Sequence, residues 1–531
     1  MQEPIMQNRR TFLKSAGITA AAAAAFTLAG CSSPGKSTTS NVSWEKEYDI
    51  IVVGAGIAGL AAAATVAKEG NGATCLLIEK EAAPNGNSPF CMGATLCSEK
   101  PDEFLTYLKN LSGGSTPDDV LEACAAGMAE NYEWLISLGA NEGDLVKSVM
   151  EVAEATEYPE FNIKGAASNA MFTGKAGGPK HVHTFLLDVV NQHSDVVTYL
   201  TSTPLEALVQ DAATHAVLGV VAKGKNYRAK KGVIMCCGGF ESDPNMLATY
   251  TGVRAYPLAG KANTGDGHRA CQNAGADMWH MTSGAQYWMA VRDLNNTKHL
   301  SNQWFFNNKR WGITVGLNGR RFYQDWDGCA VPNPYDRQPY AMGGADLTLG
   351  VGFRHGITQF GGNWAHLPFP EKAWYIFDAQ GLASGAIPPE TSSDPVKDGW
   401  VYTANTLEEL AGLIKVPVNE LTHTVSVWNE FCDAGEDKAF YRPAAALVKV
   451  AEGPFYAALC VPTMLNTDGG PVRSAAGEIL DVEGNPIAGL YSSGEFGSIW
   501  GHLYQGGGNV GECQAFGRIS VRSALAREVK A

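Results

Sequence analysis

None of the twelve cysteines is arranged as Cys-x-x-Cys. That absence excludes covalent haem attachment, rubredoxin-type metal sites and the ordinary ligand spacing of iron–sulfur proteins. Positive charge is also scarce: 40 Lys and Arg face 54 Asp and Glu, a net charge of −14. So acidic a chain suits neither nucleic acid nor anionic lipid held by charge alone. No apolar run is long either. The small-residue stretch Ala16–Ala29 falls short of the roughly 20 residues that a bilayer-spanning helix needs. What the chain does have is size and glycine. Its 531 residues suggest two or more domains, and 60 glycines supply many tight turns.

The most informative segment is Asp49–Leu60. An apolar strand, Asp49-Ile50-Ile51-Val52-Val53, runs into Gly54-Ala55-Gly56-Ile57-Ala58-Gly59 and then into an alanine-rich helix expected over 60–69. In Gly-x-Gly-x-x-Gly the first glycine permits the tight turn and the second admits a pyrophosphate to the backbone. The third lets helix and strand pack closely. The helix start offers free N–H groups and the positive end of a dipole to phosphate. A second strand, Cys75–Ile78, ends at Glu79, at the spacing expected of an acid that binds a ribose hydroxyl. Strand, turn, helix, strand and acid in register predict a Rossmann-type α/β dinucleotide site. No second fingerprint of this kind occurs, so a dedicated NAD(P)H site is not expected.

Residues 1–30 read as an address. Arg9-Arg10-Thr11-Phe12-Leu13-Lys14 is a twin-arginine export motif, and Leu28-Ala29-Gly30-Cys31 resembles a lipobox in which Cys31 becomes lipidated. The Ser/Thr/Gly/Pro-rich stretch within 31–45 reads as a flexible tether. The expectation is a protein exported folded with its cofactor, and held by its lipid anchor on the outer face of the cell membrane.

The second half repeats the theme of strand and glycine turn. Lys231–Cys237 is an apolar strand ending in Gly238-Gly239-Phe240, and Asn263-Thr264-Gly265-Asp266-Gly267-His268 opens a helix. Gly489-Leu490-Tyr491-Ser492-Ser493-Gly494-Glu495 is a strand and turn bearing an acid. Gly506-Gly507-Gly508-Asn509 opens a last helix, expected over Val510–Arg527. Together with Glu79-Lys80, Gly86-Asn87-Ser88 and Asn318-x-Arg320-Arg321-Phe322, these motifs resemble the fumarate reductase/succinate dehydrogenase-type flavoproteins. That family includes urocanate reductases and 3-ketosteroid dehydrogenases. The likeness covers nearly all of residues 46–531. It implies FAD, held by Gly54, Ala55, Gly56, Ala58, Gly59, Glu79, Lys80, Asn87, Ser88, Gly238, Gly239, Thr264, Asp266, Gly494, Glu495, Gly508 and Asn509. It also implies an FAD-binding domain in two parts, 46–275 and 455–531. An α+β capping domain inserted at 276–454 would split them, with catalysis in the cleft between.

Departures from the family's pattern bear on the substrate. Fumarate reductases carry His-His-Thr-x-Gly-Gly and Asn-Arg-Leu-Gly-Gly-Asn, whose histidine and arginine hold substrate carboxylates. The matching stretches here, Leu465-Asn466-Thr467-Asp468-Gly469-Gly470 and His502–Asn509, contain neither that histidine nor that arginine. The Thr-Thr-Arg-Asp that supplies a proton-donating arginine is replaced by Asp325-Trp326-Asp327-Gly328-Cys329. A dicarboxylate bound without a bidentate cation would leave costly unpaired charge in a closed cleft.

Tyr504-Gln505-Gly506-Gly507-Gly508 resembles instead the Tyr-Pro-Gly-Gly-Gly of ketosteroid dehydrogenases, which binds a carbonyl conjugated to C=C. The resemblance implies an ene-reductase for an α,β-unsaturated carbonyl or lactone, steroid-like, such as a cardiac glycoside. Tyr504 and the Gly508 N–H would clamp the carbonyl, and Arg337, Tyr335 or Tyr323 would donate the proton. Asn333, Tyr335 and His502 would line the pocket. Three other readings stay open: a fumarate- or urocanate-type carboxylate reductase with a rearranged clamp, a 3-ketosteroid dehydrogenase, and a non-catalytic flavin lipoprotein that relays electrons. Electrons are expected from a membrane-linked cytochrome c or quinol dehydrogenase. Dispersed cysteines leave room for a [4Fe-4S] cluster as a second cofactor.

Overall fold

The structure is a computed structural model that describes residues 42–149, 161, 166–297, 311–323, 325, 370–442 and 444–528. The export motif, Cys31, Asn333, Tyr335 and Arg337 lie outside the described residues.

Five parallel strands form the central sheet, in the spatial order Pro486–Ser492, Lys225–Met235, Lys46–Val53, Cys75–Ile78 and Val197–Leu200. Ile50 to Val53 and Cys75–Ile78 are buried without alternation, because both faces of a parallel sheet are covered. Helix Ile57–Glu69 covers one face beside the last helix, Gly508–Ala526. A Cβ on Gly517 would lie 3.0 Å from that of Ala61, so glycine sets their close approach. The first helix starts at Ile57, three residues before the sequence predicts. Its first turn is secured from a distance: Ser88 Oγ accepts the Ile57 N–H at 2.9 Å. The antiparallel strands Leu205–Gln210 and Val217–Ala222 lead into Lys225–Met235. A small antiparallel sheet (Ala94–Cys97, Ser168–Phe172, Leu145–Val149) with helices Pro101–Ser112 and Asp118–Ser137 completes this part.

A second sheet gathers Tyr256–Pro257, Gly284–Arg292, Gly312–Val315, Ala373–Phe377 and Val401–Ala404 around the long strand Phe455–Thr467. Helices Leu407–Ile414 and Val418–Ala434 pack on it, burying Trp428. The sequence puts a boundary at 454/455. In the structure, Phe455–Thr467 is the spine of the cap's own sheet, paired with cap strands from Phe455 to Thr467. At roughly 3.3 Å per residue, thirteen residues span about 40 Å, enough to reach from the cap to the cofactor domain. Its last residue arrives there: Thr467 Oγ1 accepts the Phe240 N–H at 2.8 Å. Among the described residues no helix is long and apolar enough to cross a membrane.

Candidate active site

The carboxyl ends of Lys46–Val53, Cys75–Ile78 and Lys225–Met235 open on a cleft of about 870 Å³, the solvent at its mouth included. Ligands bind at this edge of open parallel sheets. Of the predicted cofactor residues, Gly54, Gly56, Ala58, Glu79, Lys80, Asn87, Ser88, Gly238, Thr264, Asp266 and Glu495 line it. Gly54 takes φ +102°, and a Cβ there would lie 2.4 Å from the Cys236 carbonyl oxygen. Ala55 and Gly59 shape the turn from behind, while Gly239 packs against Thr467 and Gly494 against Cys513.

Glu79 is nearly fully buried. Its Oε2 accepts the Ala55 N–H and its Oε1 the Glu81 N–H, each at 3.0 Å. Lys80 Nζ stands 2.7 Å from both Thr264 Oγ1 and Asp266 Oδ2. Burial works to raise the Asp266 pKa, yet its hydrogen bond and ion pair with Lys80 hold it below the usual value. Asn87 Nδ2 donates to Glu241 and Glu495, and its Oδ1 is buried without a partner, an acceptor awaiting a donor. An open turn at a helix N-terminus, an anchored acid beside it and an orphaned acceptor fit FAD. When bound, FAD supplies the two-electron chemistry. Glu79→Gln is expected to weaken FAD binding about 10- to 100-fold, since each charge-assisted hydrogen bond contributes about 1.5–3 kcal/mol. Equilibrium dialysis of FAD against the variant checks this.

The expected carbonyl clamp is rearranged. The Gly508 N–H donates to the Gln505 carbonyl at 2.9 Å, so it is engaged within the chain instead of facing a substrate. The buried Tyr504 hydroxyl accepts the Asn509 N–H at 3.3 Å, and its ring meets Trp500 edge-on. The cause is local. The glycine turn folds straight into a helix, whose first N–H groups need acceptors, and Gln505 and Tyr504 provide them. Asn509 turns its amide to Asp468 Oδ1, at 3.0 Å. His502 packs against Gly113 outside the cleft lining, and burial lowers its pKa. Tyr323 lies in the cap core.

Three groups at or just behind the cleft were missed from sequence: Asn263, which lines it, and the buried acids Glu241 and Asp468. Each neighbours a motif that was recognised, but spacing gave no sign that their side chains turn inward. Burial, with neighbouring acids, raises Asp468 and Glu495 well above the ordinary carboxylate range. The buried arginines of the described residues are engaged or remote. Arg473 pairs with Glu512 at 2.6 Å, Arg442 donates to the Gly312 carbonyl, and Arg518 donates to Asn131. Arg292 has unpartnered Nε and Nη1, but it sits eight residues along its strand from Gly284, roughly 26 Å from the end that pairs with Thr467. None of the ten described cysteines is in a disulfide, and burial pushes the cleft-lining Cys237 thiol up to about 12. Among the described residues no three Cys, His, Asp or Glu side chains are placed to hold a metal, so nothing there supports the expected [4Fe-4S] cluster.

A sequence profile described as the FAD binding domain matches residues 49–510. The chain belongs to the FAD-binding flavoproteins of the fumarate reductase and 3-ketosteroid dehydrogenase family. This flavoprotein is 27% identical over 497 residues to the vinyl phenol reductase of Lactiplantibacillus plantarum, covering 90% of this chain and 95% of that protein. It is a more distant relative, at 25%, of the digoxin reductase of Eggerthella lenta, with 98% and 97% of the two chains covered. The solved open conformation of a flavocytochrome c3 fumarate reductase matches it with a TM-score of 0.68 at 23% identity, over 91% of this chain and 78% of that one. The fold is therefore the α/β FAD-binding domain with an inserted capping domain. The flavoprotein is an FAD-dependent oxidoreductase acting on CH–CH bonds, a reductase or dehydrogenase of unsaturated substrates.

Proposed function

We propose that this flavoprotein is an exported, lipid-anchored reductase that saturates the C=C of an uncharged α,β-unsaturated carbonyl or lactone. A steroid-sized substrate such as a cardiac glycoside is one member of that class. Its electron donor is a membrane-linked cytochrome c or quinol dehydrogenase. One observation carries the substrate class: Glu495 lines the cleft with the buried acids Glu241 and Asp468 close enough to raise its pKa, while the buried arginines of the described residues are engaged or remote. A doubly anionic substrate would meet acids without a pairing cation, and a neutral one avoids that penalty. Relatives named for a vinyl phenol and for digoxin support the same choice. In this reading the Tyr504 hydroxyl binds the carbonyl oxygen where negative charge develops. Arg337 or Tyr335 gives the proton, and Asn333 borders the substrate, while His502, packed on Gly113, stands back from the cleft lining.

The test is anaerobic. Dithionite-reduced holoenzyme is mixed with an enone, an unsaturated lactone, a vinyl phenol and fumarate, and the flavin absorption band is followed. Return of the oxidised band with a neutral acceptor and not with fumarate is expected. Return with fumarate alone would overturn the reading, and no return with any acceptor would favour an electron relay. Tyr504→Phe should slow the productive reaction about 10²-fold at unchanged FAD content, the scale of losing one oxyanion donor.

A further inference from the structure

Glu495, which lines the cofactor cleft, and Glu241, buried behind it, meet at a single amide, that of Asn87. Asn87 Nδ2 donates to Glu241 Oε1 at 3.0 Å and to Glu495 Oε1 at 3.1 Å. The other side-chain donors to Glu241 are also uncharged: Asn263 Nδ2 at 2.7 Å and Thr467 Oγ1 at 3.1 Å. Glu241 is 1% exposed, so water does not screen it. Among the described residues no lysine or arginine forms an ion pair with either acid. The cations of the surrounding elements are engaged, Lys80 with Asp266 and Arg473 with Glu512. His268 packs edge-on between Phe240 and Phe496, and burial lowers its pKa to about 4, so it is neutral. Burial also keeps the Cys237 and Cys513 thiols protonated. A third acid, Asp468, comes from the end of strand Phe455–Thr467. Its Oδ1 takes the amides of Asn466 and Asn509, and its Oδ2 is buried without a partner.

Two carboxylates bridged by one NH2 group, with no cation to offset them, do not both ionise. They exchange protons as a pair. We propose that Glu241 and Glu495 share one proton at neutral pH, and that Glu241 is thereby a positioning residue that sets the charge of the FAD cleft. This rests on FAD occupying the cleft and not on the identity of the substrate. Burial raises both groups, and for Glu495 the neighbouring acids add to it, so the shared proton is held above the ordinary carboxylate range and lost only as pH climbs through the pair's own transition. FAD brings two pyrophosphate charges into the same enclosed space. Loss of the shared proton adds another negative charge there, and the cofactor then loosens.

The experiment uses the holoenzyme. FAD release after pH jumps is followed by the fluorescence of the freed flavin. For the wild type, release is expected to be flat at first and then to rise by up to about tenfold per pH unit above the transition. Glu241→Gln imitates the neutral acid and is expected to flatten the profile and retain FAD at high pH. Identical profiles for wild type and variant would overturn the proposal, as would a flat wild-type profile. If Glu241→Gln does not fold, infrared spectra of the wild type and Asp468→Asn holoenzymes decide. A protonated carboxyl band that survives in Asp468→Asn and fades in step with FAD release supports the shared proton. Its absence at neutral pH refutes it.

Discussion

Gly59→Ala is expected to yield protein that retains no FAD and unfolds well below the wild-type temperature. A Cβ at position 59 would lie 1.8 Å from the Gly54 carbonyl oxygen and 3.3 Å from Val52 Cγ1. Neither neighbour can yield. Gly54 is itself held at φ +102° against the Cys236 carbonyl, and Val52 is buried in the central strand. Overpacking of a rigid core costs about 1–3 kcal/mol and more where backbone is the obstacle. Gly56→Ala provides the contrast. Its Cβ would meet only the Ser88 hydroxyl at 3.0 Å, a side chain able to rotate. That variant should keep most of its thermal stability and lose FAD affinity, because its methyl intrudes where phosphate approaches the backbone. Thermal melts together with FAD content after gel filtration separate the two effects.

Arg473→Met should destabilise the holoenzyme by about 3–5 kcal/mol, the scale of breaking a buried ion pair from one side. Arg473 and Glu512 are fully buried at 2.6 Å, and Arg473 also donates to the Gly494 and Gly497 carbonyls that frame Glu495. Burial outweighs pairing for both partners: it lowers the Arg473 pKa and raises that of Glu512. Removing both charges should therefore harm less than removing one. The double variant Arg473→Met, Glu512→Met is expected to recover a good part of the loss. Urea denaturation, with the midpoint and slope of each variant compared, measures this. A double variant as unstable as the sum of the singles would show that the pair is not coupled.

The parallel sheet and its phosphate turn were legible because their signals are local: an apolar run, three glycines at fixed spacing, an acid at the next strand's end. The helix start was misplaced by three residues because its cap, Ser88, lies 31 residues away in sequence. Long-range pairing defeats local reading elsewhere too. Nothing in Phe455–Thr467 says which sheet it joins, and its uninterrupted apolar character suits either. For the carbonyl clamp implied by the ketosteroid dehydrogenase likeness, a partner within the chain at Gly508 went unseen for a related reason. Motif likeness names residues but not their partners, and the Gln505 carbonyl was already available to the Gly508 N–H. Glu241 was invisible for the opposite cause. A glutamate after Gly-Gly-Phe reads as surface until Asn87 and Thr467, from distant segments, are seen to enclose it.

The continuous strand Phe455–Thr467 makes the cap a lever with its short arm in the cofactor domain. Thr467 Oγ1 receives the Phe240 N–H and bonds Glu241 Oε2, so it has no slack. A tilt of the cap that travels down this rod must strain one of those two contacts. Any displacement of the cap along this strand would therefore reach the hydrogen bonding of the buried Glu241.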